Sequence, residues 1–192
     1  MSLVETPAAR LRRHIAEGTL IRHKWTGTDA RGRETACLLA ALAPACATAK
    51  RATACPADVM QPWLAYLTPW IDDAGTATAW HGHVLRFAAL AERWPSWSEA
   101  EWEHKHQRVL AACVREAVRH TANAQVLAVC EDIASTLEAG LWPTPEQRAA
   151  AAAAAAAEAA VVAVVAVVAA VMTAEAADRL IAEILDVLEA EA

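Results

Sequence analysis

The sequence predicts an all-α protein: a compact bundle of short helices over residues 1–140, followed by one long Ala/Val-rich C-terminal helix over 141–192. Three observations carry this. Alanine, the strongest intrinsic helix former, supplies 51 of the 192 residues. Apolar residues recur at spacings of three and four through most of the chain. Helix start and stop residues bracket those runs.

The first helix is bracketed by Thr6 as cap, Pro7 at its first position and Gly18 after its end, with Ala8, Leu11 and Ile15 on one face. Thr19–Trp25 has strand character, and residues 26–32 are turn chemistry, so a small hairpin fits here. The apolar run 37–42 lacks β-branched residues and reads as a helix closed by Pro44. Residues 45–55 read as a loop. Pro56, Pro62 and Pro69 then cut the chain into short pieces, because an internal proline costs a helix about 3 kcal/mol. Two or three short helices follow from that.

Beyond Gly75 the helices lengthen. Trp80, Val84, Phe87, Ala91 and Trp94 share one face, and Pro95 ends that helix. Ser98 and Glu101 form a capping box opening a helix with Trp102, His106, Val109, Cys113 and Ala117 on one stripe. A further helix spans Asn123 to Ala139, with Gly140 as its stop. Thr144, Pro145 and Gln147 open the last one. From there to Ala190 the pattern is uninterrupted for about 46 residues, or about 69 Å at 1.5 Å per residue, with a bend at Thr173 as the alternative. A helix that long overhangs a 140-residue domain about 30–35 Å across.

Residues 149–157 are all alanine, and only alanine, valine and methionine occur from Ala159 to Met172. A helix with no polar face needs cover from protein or lipid. Sixteen uncharged residues, 159–174, fall short of a usual membrane span, and no basic or aromatic anchors flank them. Self-association is therefore the expected cover, with a membrane anchor as the alternative. The expected contact residues are Val161, Val164, Val165, Val168 and Val171, continued by the stripe Leu180, Ile181, Ile184, Leu185 and Leu188. Truncation after Gly140 is therefore expected to give a soluble, folded monomer, while the intact chain runs as an oligomer.

The net charge of -6 argues against a nucleic-acid partner. Five cysteines do not make a disulfide framework, and residues 1–20 carry no secretory signal. The expected setting is the cytoplasm, with reduced thiols.

Catalytic signals are sparse. There is no Gly-rich phosphate loop, no His-Glu-x-x-His and no Gly-x-Ser-x-Gly. Cys37, Cys46 and Cys55 are nine residues apart, unlike the paired spacing of zinc ligands. His81 and His83 are weak metal candidates, because i and i+2 on a helix diverge by about 200°. Cys37 is the one candidate nucleophile: it precedes a predicted helix, whose dipole lowers a thiol pKa, and a histidine elsewhere would be its base. The sequence therefore favours a non-enzymatic interaction protein without cofactor or metal. A small hydrolase using Cys37 is the alternative.

Overall fold

The computed structural model describes residues 5–162 and 173–190, with the backbone alone for 154–162. Among the described residues the fold is all-α apart from two three-residue strands. The chain divides into two compact units, residues 1–97 and 98–192.

Unit 1 opens with α1, Pro7–Glu17. The Thr6 hydroxyl accepts from the Ala9 amide at 3.2 Å, and Gly18 closes the helix in the left-handed region at φ 63°. Strands β1 (Thr26–Thr28) and β2 (Glu34–Ala36) form the hairpin, pairing Thr26 with Ala36 and Thr28 with Glu34. The strand thus lies within the segment expected to turn. The turn itself is set by Asp29, whose Oδ1 accepts from the Arg31 and Arg33 amides at 2.8 and 2.9 Å.

Helix α2, Leu38–Leu42, is buried along its whole length. Pro44 does close it but also opens α3, Pro44–Ala49, where a loop was expected. Proline at a first helical position loses no helical hydrogen bond. A short 3₁₀ turn at Ala52–Ala54 follows.

The larger departure is α4, Pro62–Asp73, which runs through Pro69 where separate short helices were expected. Its inner face carries Leu64, Ala65, Thr68, Ile71 and Asp72, all buried, so packing outweighs the proline penalty. In the same turn the Thr68 hydroxyl donates to the Leu64 carbonyl at 2.7 Å. Helix α5, Ala77–Arg93, has the expected face: Val84, Phe87, Ala91 and the following Trp94 are buried, and Phe87 meets Trp94 edge to face at 5.6 Å.

Unit 2 begins with the capping box at Ser98 and Glu101, which opens α6, Glu99–Val118. Its buried stripe is rotated from the expected one. Lys105, Ala112 and Glu116 join Trp102 and Val109 inside, while Ala117 is exposed. Two charges can sit there because both are answered. Lys105 Nζ donates to the Leu188 and Ala190 carbonyls at 3.0 and 2.7 Å. The Glu116 carboxylate gathers Arg119 at 2.7 Å, His120 at 3.1 Å and Arg179 at 3.8 Å.

Helix α7, Ala124–Glu138, is capped by Asn123 and stopped by Gly140 at φ 74°. Helix α8, Pro145–Val162, opens with reciprocal bonds between Thr144 and Gln147, at 2.8 and 3.2 Å.

The single long C-terminal helix does not form. Thr173 is extended, with ψ 152°, and its hydroxyl accepts from the Ala176 amide at 3.3 Å. It caps a separate helix, α9, of 16 residues, Ala174–Glu189. Helix α9 lies along α6, and the Lys105 ammonium answers the last carbonyls of α9. That contact also changes what truncation after Gly140 does, since it removes a partner of α6. Among the described residues no helix is long and apolar enough to cross a membrane.

Candidate functional site

The chemistry-bearing side chains of unit 1 converge where the loop before β1 meets the start of α2 and the end of α4. Trp25 O accepts from the Cys37 amide at 3.0 Å, fixing that loop against the α2 start. Arg22 holds the other side, donating through Nε to the Asp72 carbonyl at 2.8 Å and through an Nη to the Gly75 carbonyl at 2.6 Å. The Asp72 carbonyl is an orphan in the last turn of α4, the usual place for a cationic cap, and the Gly75 carbonyl lies just past the helix end. Its guanidinium also lies 5.9 Å from the Trp80 ring centre.

With both sides fixed, His23, Lys24, Trp25, Cys37, Pro69, Asp72 and Asp73 line an open cleft of about 140 Å³. His23 takes the left-handed region at φ 62°, uncommon for a residue with a side chain. Its amide donates to Asp73 Oδ1 at 2.7 Å, and its Nδ1 lies 3.3 Å from the same oxygen. Asp72 is 1% exposed. Its Oδ2 accepts from the Leu38 amide at 3.0 Å and its Oδ1 from the Trp80 indole N–H at 2.8 Å. Burial pushes its carboxyl above the ordinary aspartate range, against the pull of those two bonds.

Cys37 is the N-cap of α2, and its sulfur accepts from the Ala40 amide at 3.4 Å. The helix start is where the sequence places it, but the expected activation is reversed. Burial, then the charge of Asp72, push the thiol up to about 11. A five-residue helix has too small a dipole to offset them. The arrangement has the parts of a thiol, imidazole and carboxylate system, but its thiol is held protonated at neutral pH.

That shift sets a pH dependence. A pKa raised on folding gives stability that is complete below the unfolded value of 9.0 and lost as pH rises through about 11. Cys37 should therefore take about 2–3 kcal/mol from the fold between those limits. Urea midpoints at pH 8 and pH 11 measure this, and Cys37→Ala should shrink the difference by that share, leaving what the other raised thiols contribute. At pH 7 Cys37 should react with iodoacetamide more slowly than a free thiol. Faster reaction at Cys37 than at Cys113 and Cys130 would contradict the assignment.

The other sequence candidates lie elsewhere. His81 and His83 both fall on α5, the first exposed and the second half-buried, and the helix turns them apart. Among the described residues no group of three His, Cys, Asp or Glu side chains is placed to hold a metal. Leu180, Ile181, Ile184, Leu185 and Leu188 are all buried within the chain, on α9. Val164, Val165, Val168 and Val171 lie outside the described residues, as does the side chain of Val161.

Sequence reasoning missed His23 and Lys24, and gave Asp72 and Asp73 no part in this cleft. No local signal could have joined His23 to residues 14 and 50 positions away. Comparison of the chain with protein-family models, curated proteins and solved structures gives no match.

Proposed function

We propose that the protein is a non-enzymatic interaction protein that self-associates through its Ala/Val-rich segment, residues 149–172. The observation that carries this reading is the way α8 sits on α7. Gln147 reaches Asp132 and Thr136, at 2.8 and 2.9 Å, and Ala151 is half-buried one turn on. Ala149, Ala150, Ala152 and Ala153 are left exposed. A helix of alanines offers water no polar side chain, and its small residues let another helix backbone approach closely. The apolar stripe of α9 is already buried within the chain, so the alanine segment remains as the associating surface.

Light scattering over a concentration series tests this. The intact chain should exceed its 20.5 kDa mass and grow with concentration. Ala150→Lys with Ala153→Lys places two charges on the exposed side and should weaken association about tenfold or more, each charge needing desolvation at the contact. Helical circular dichroism should be unchanged. A chain that stays at 20.5 kDa throughout in plain buffer would sink the proposal, and one that disperses only in detergent would favour the membrane anchor at 159–174.

A second reading, a thiol-dependent hydrolase, has one observation in its favour: His23 and Cys37 line the same cleft. Cys37 would be the nucleophile and His23 the base. The raised thiol argues against it.

A further inference from the structure

We infer that Cys46 and Cys55 are a disulfide-forming pair, a modification site that locks α3 to the 3₁₀ turn after it under oxidising conditions. The pair belongs neither to the cleft nor to the alanine segment. The backbone builds it. Helix α3 ends in Lys50, which reverses the chain in the left-handed region at φ 51°. The Arg51 amide then donates back to the Cys46 carbonyl at 3.3 Å. One oxygen measures the closeness of the two cysteines. The Ala52 carbonyl lies 3.9 Å from Cys46 Sγ and accepts from the Cys55 amide at 2.9 Å. The Cys55 thiol donates to the Pro56 carbonyl at 3.7 Å, and each of the two thiols shifts the other's titration, as near neighbours do.

The two sulfurs differ in access. Cys46 is fully buried, while Cys55 is half-buried beside exposed residues 56–58. That asymmetry assigns the order of events with a small disulfide such as oxidised glutathione. The Cys55 thiolate attacks one glutathione sulfur, forming a mixed disulfide and expelling one glutathione thiolate. The Cys46 thiolate then attacks the Cys55 sulfur, forming the internal S–S bond and expelling the second glutathione. The two protons lost by the protein end on the two glutathione thiolates, so two cysteines are oxidised as one disulfide is reduced. Burial and the neighbouring thiol push Cys55 up to about 12, and burial raises Cys46 as well. Thiolate is scarce at neutral pH, so the bridge closes slowly and acts as a lock and not as a fast sensor.

The test is incubation of the intact chain with oxidised glutathione at pH 8.5, acid quenching, alkylation and mass mapping. The expected product is lighter by two hydrogens, carries no glutathione, and has Cys46 joined to Cys55 with Cys37, Cys113 and Cys130 alkylated. Cys46→Ser should instead accumulate glutathione on Cys55, because the resolving sulfur is gone. Three outcomes would overturn the inference: a stable glutathione adduct on Cys55 of the unsubstituted chain, a bridge mapped to any other pair, or all five thiols still open to alkylation after prolonged incubation.

Discussion

Truncation after Gly140 is expected to abolish the cooperative fold of unit 2 and not to release a tidy monomer. It removes α9, and with it the buried side chains Leu180, Ile181, Ile184, Leu185 and Leu188. At about 1.5–3 kcal/mol each, these five contribute about 7–15 kcal/mol, which matches the entire net stability of an ordinary domain. The loss reaches further through two buried charges. Lys105 would be left without the Leu188 and Ala190 carbonyls, and Glu116 without Arg179. Breaking the pairing of a buried charge is itself strongly destabilising. Urea unfolding followed at 222 nm checks this: chain 1–140 should lose helix beyond that of the deleted residues. Ile184→Asp in the full chain should reproduce the effect, since it puts a carboxylate at a fully buried position. A monodisperse 1–140 chain with an undiminished unfolding midpoint would show that α6 and α7 stand without α9.

The second large effect is expected at Asp72. Replacing it with alanine strands the Leu38 amide and the Trp80 indole N–H, both of which donate to it. A buried donor left unmade costs about 1–3 kcal/mol; the Leu38 amide is buried and the Trp80 N–H only partly so, and the two together should cost about 2–4 kcal/mol. The same side chain ties three helices, because Leu38 opens α2, Trp80 belongs to α5 and Asp72 itself to α4. Asp72→Asn keeps one acceptor oxygen and should cost about half as much, since its NH₂ group would face one of the donors. Thermal midpoints of the two variants against the parent decide this. If Asp72→Ala unfolds at the parent's temperature, the carboxylate is not the tie between these helices. A smaller loss for alanine than for asparagine would mean that an NH₂ group set against one of the two donors costs more than leaving both unmade.

Where the sequence was legible, the controlling contacts are local. Thr6 with Ala9, Ser98 with Glu101, Asn123 with Gln125, and Thr144 with Gln147 each bond within two or three residues, so reading the neighbours is enough to place the helix starts. Gly18 and Gly140 stop helices for a reason equally local, a positive φ. The same logic placed Cys37 at a helix start and the α5 face toward the interior.

Local reading failed wherever the deciding contact came from far along the chain. Pro69 breaks no helix because the face that α4 buries holds it together. The Ala/Val run reads as one helix with a bend at Thr173 as the alternative, and it is at Thr173 that a new helix starts, one that lies along α6. Nothing in the local sequence marks Lys105 and Glu116 for burial, and the backbone ends and guanidinium groups brought to them are what offset its cost.

The candidate cleft divides the same way. Its residues sit in three short stretches whose own structure is mostly local. Their meeting depends on Arg22 holding the end of α4 and on Trp25 accepting from Cys37. The thiol shows the division most clearly. Position at a helix start, a local property, argues for an activated cysteine; burial and the facing Asp72, which exist only after folding, reverse the sign. By itself the sequence determined the helical class, most of the helix ends and the presence of an apolar segment needing cover. Tertiary structure decided which charges are buried, which thiols meet and whether any is reactive, because desolvation and pairing are properties of the assembled neighbourhood and not of the residue.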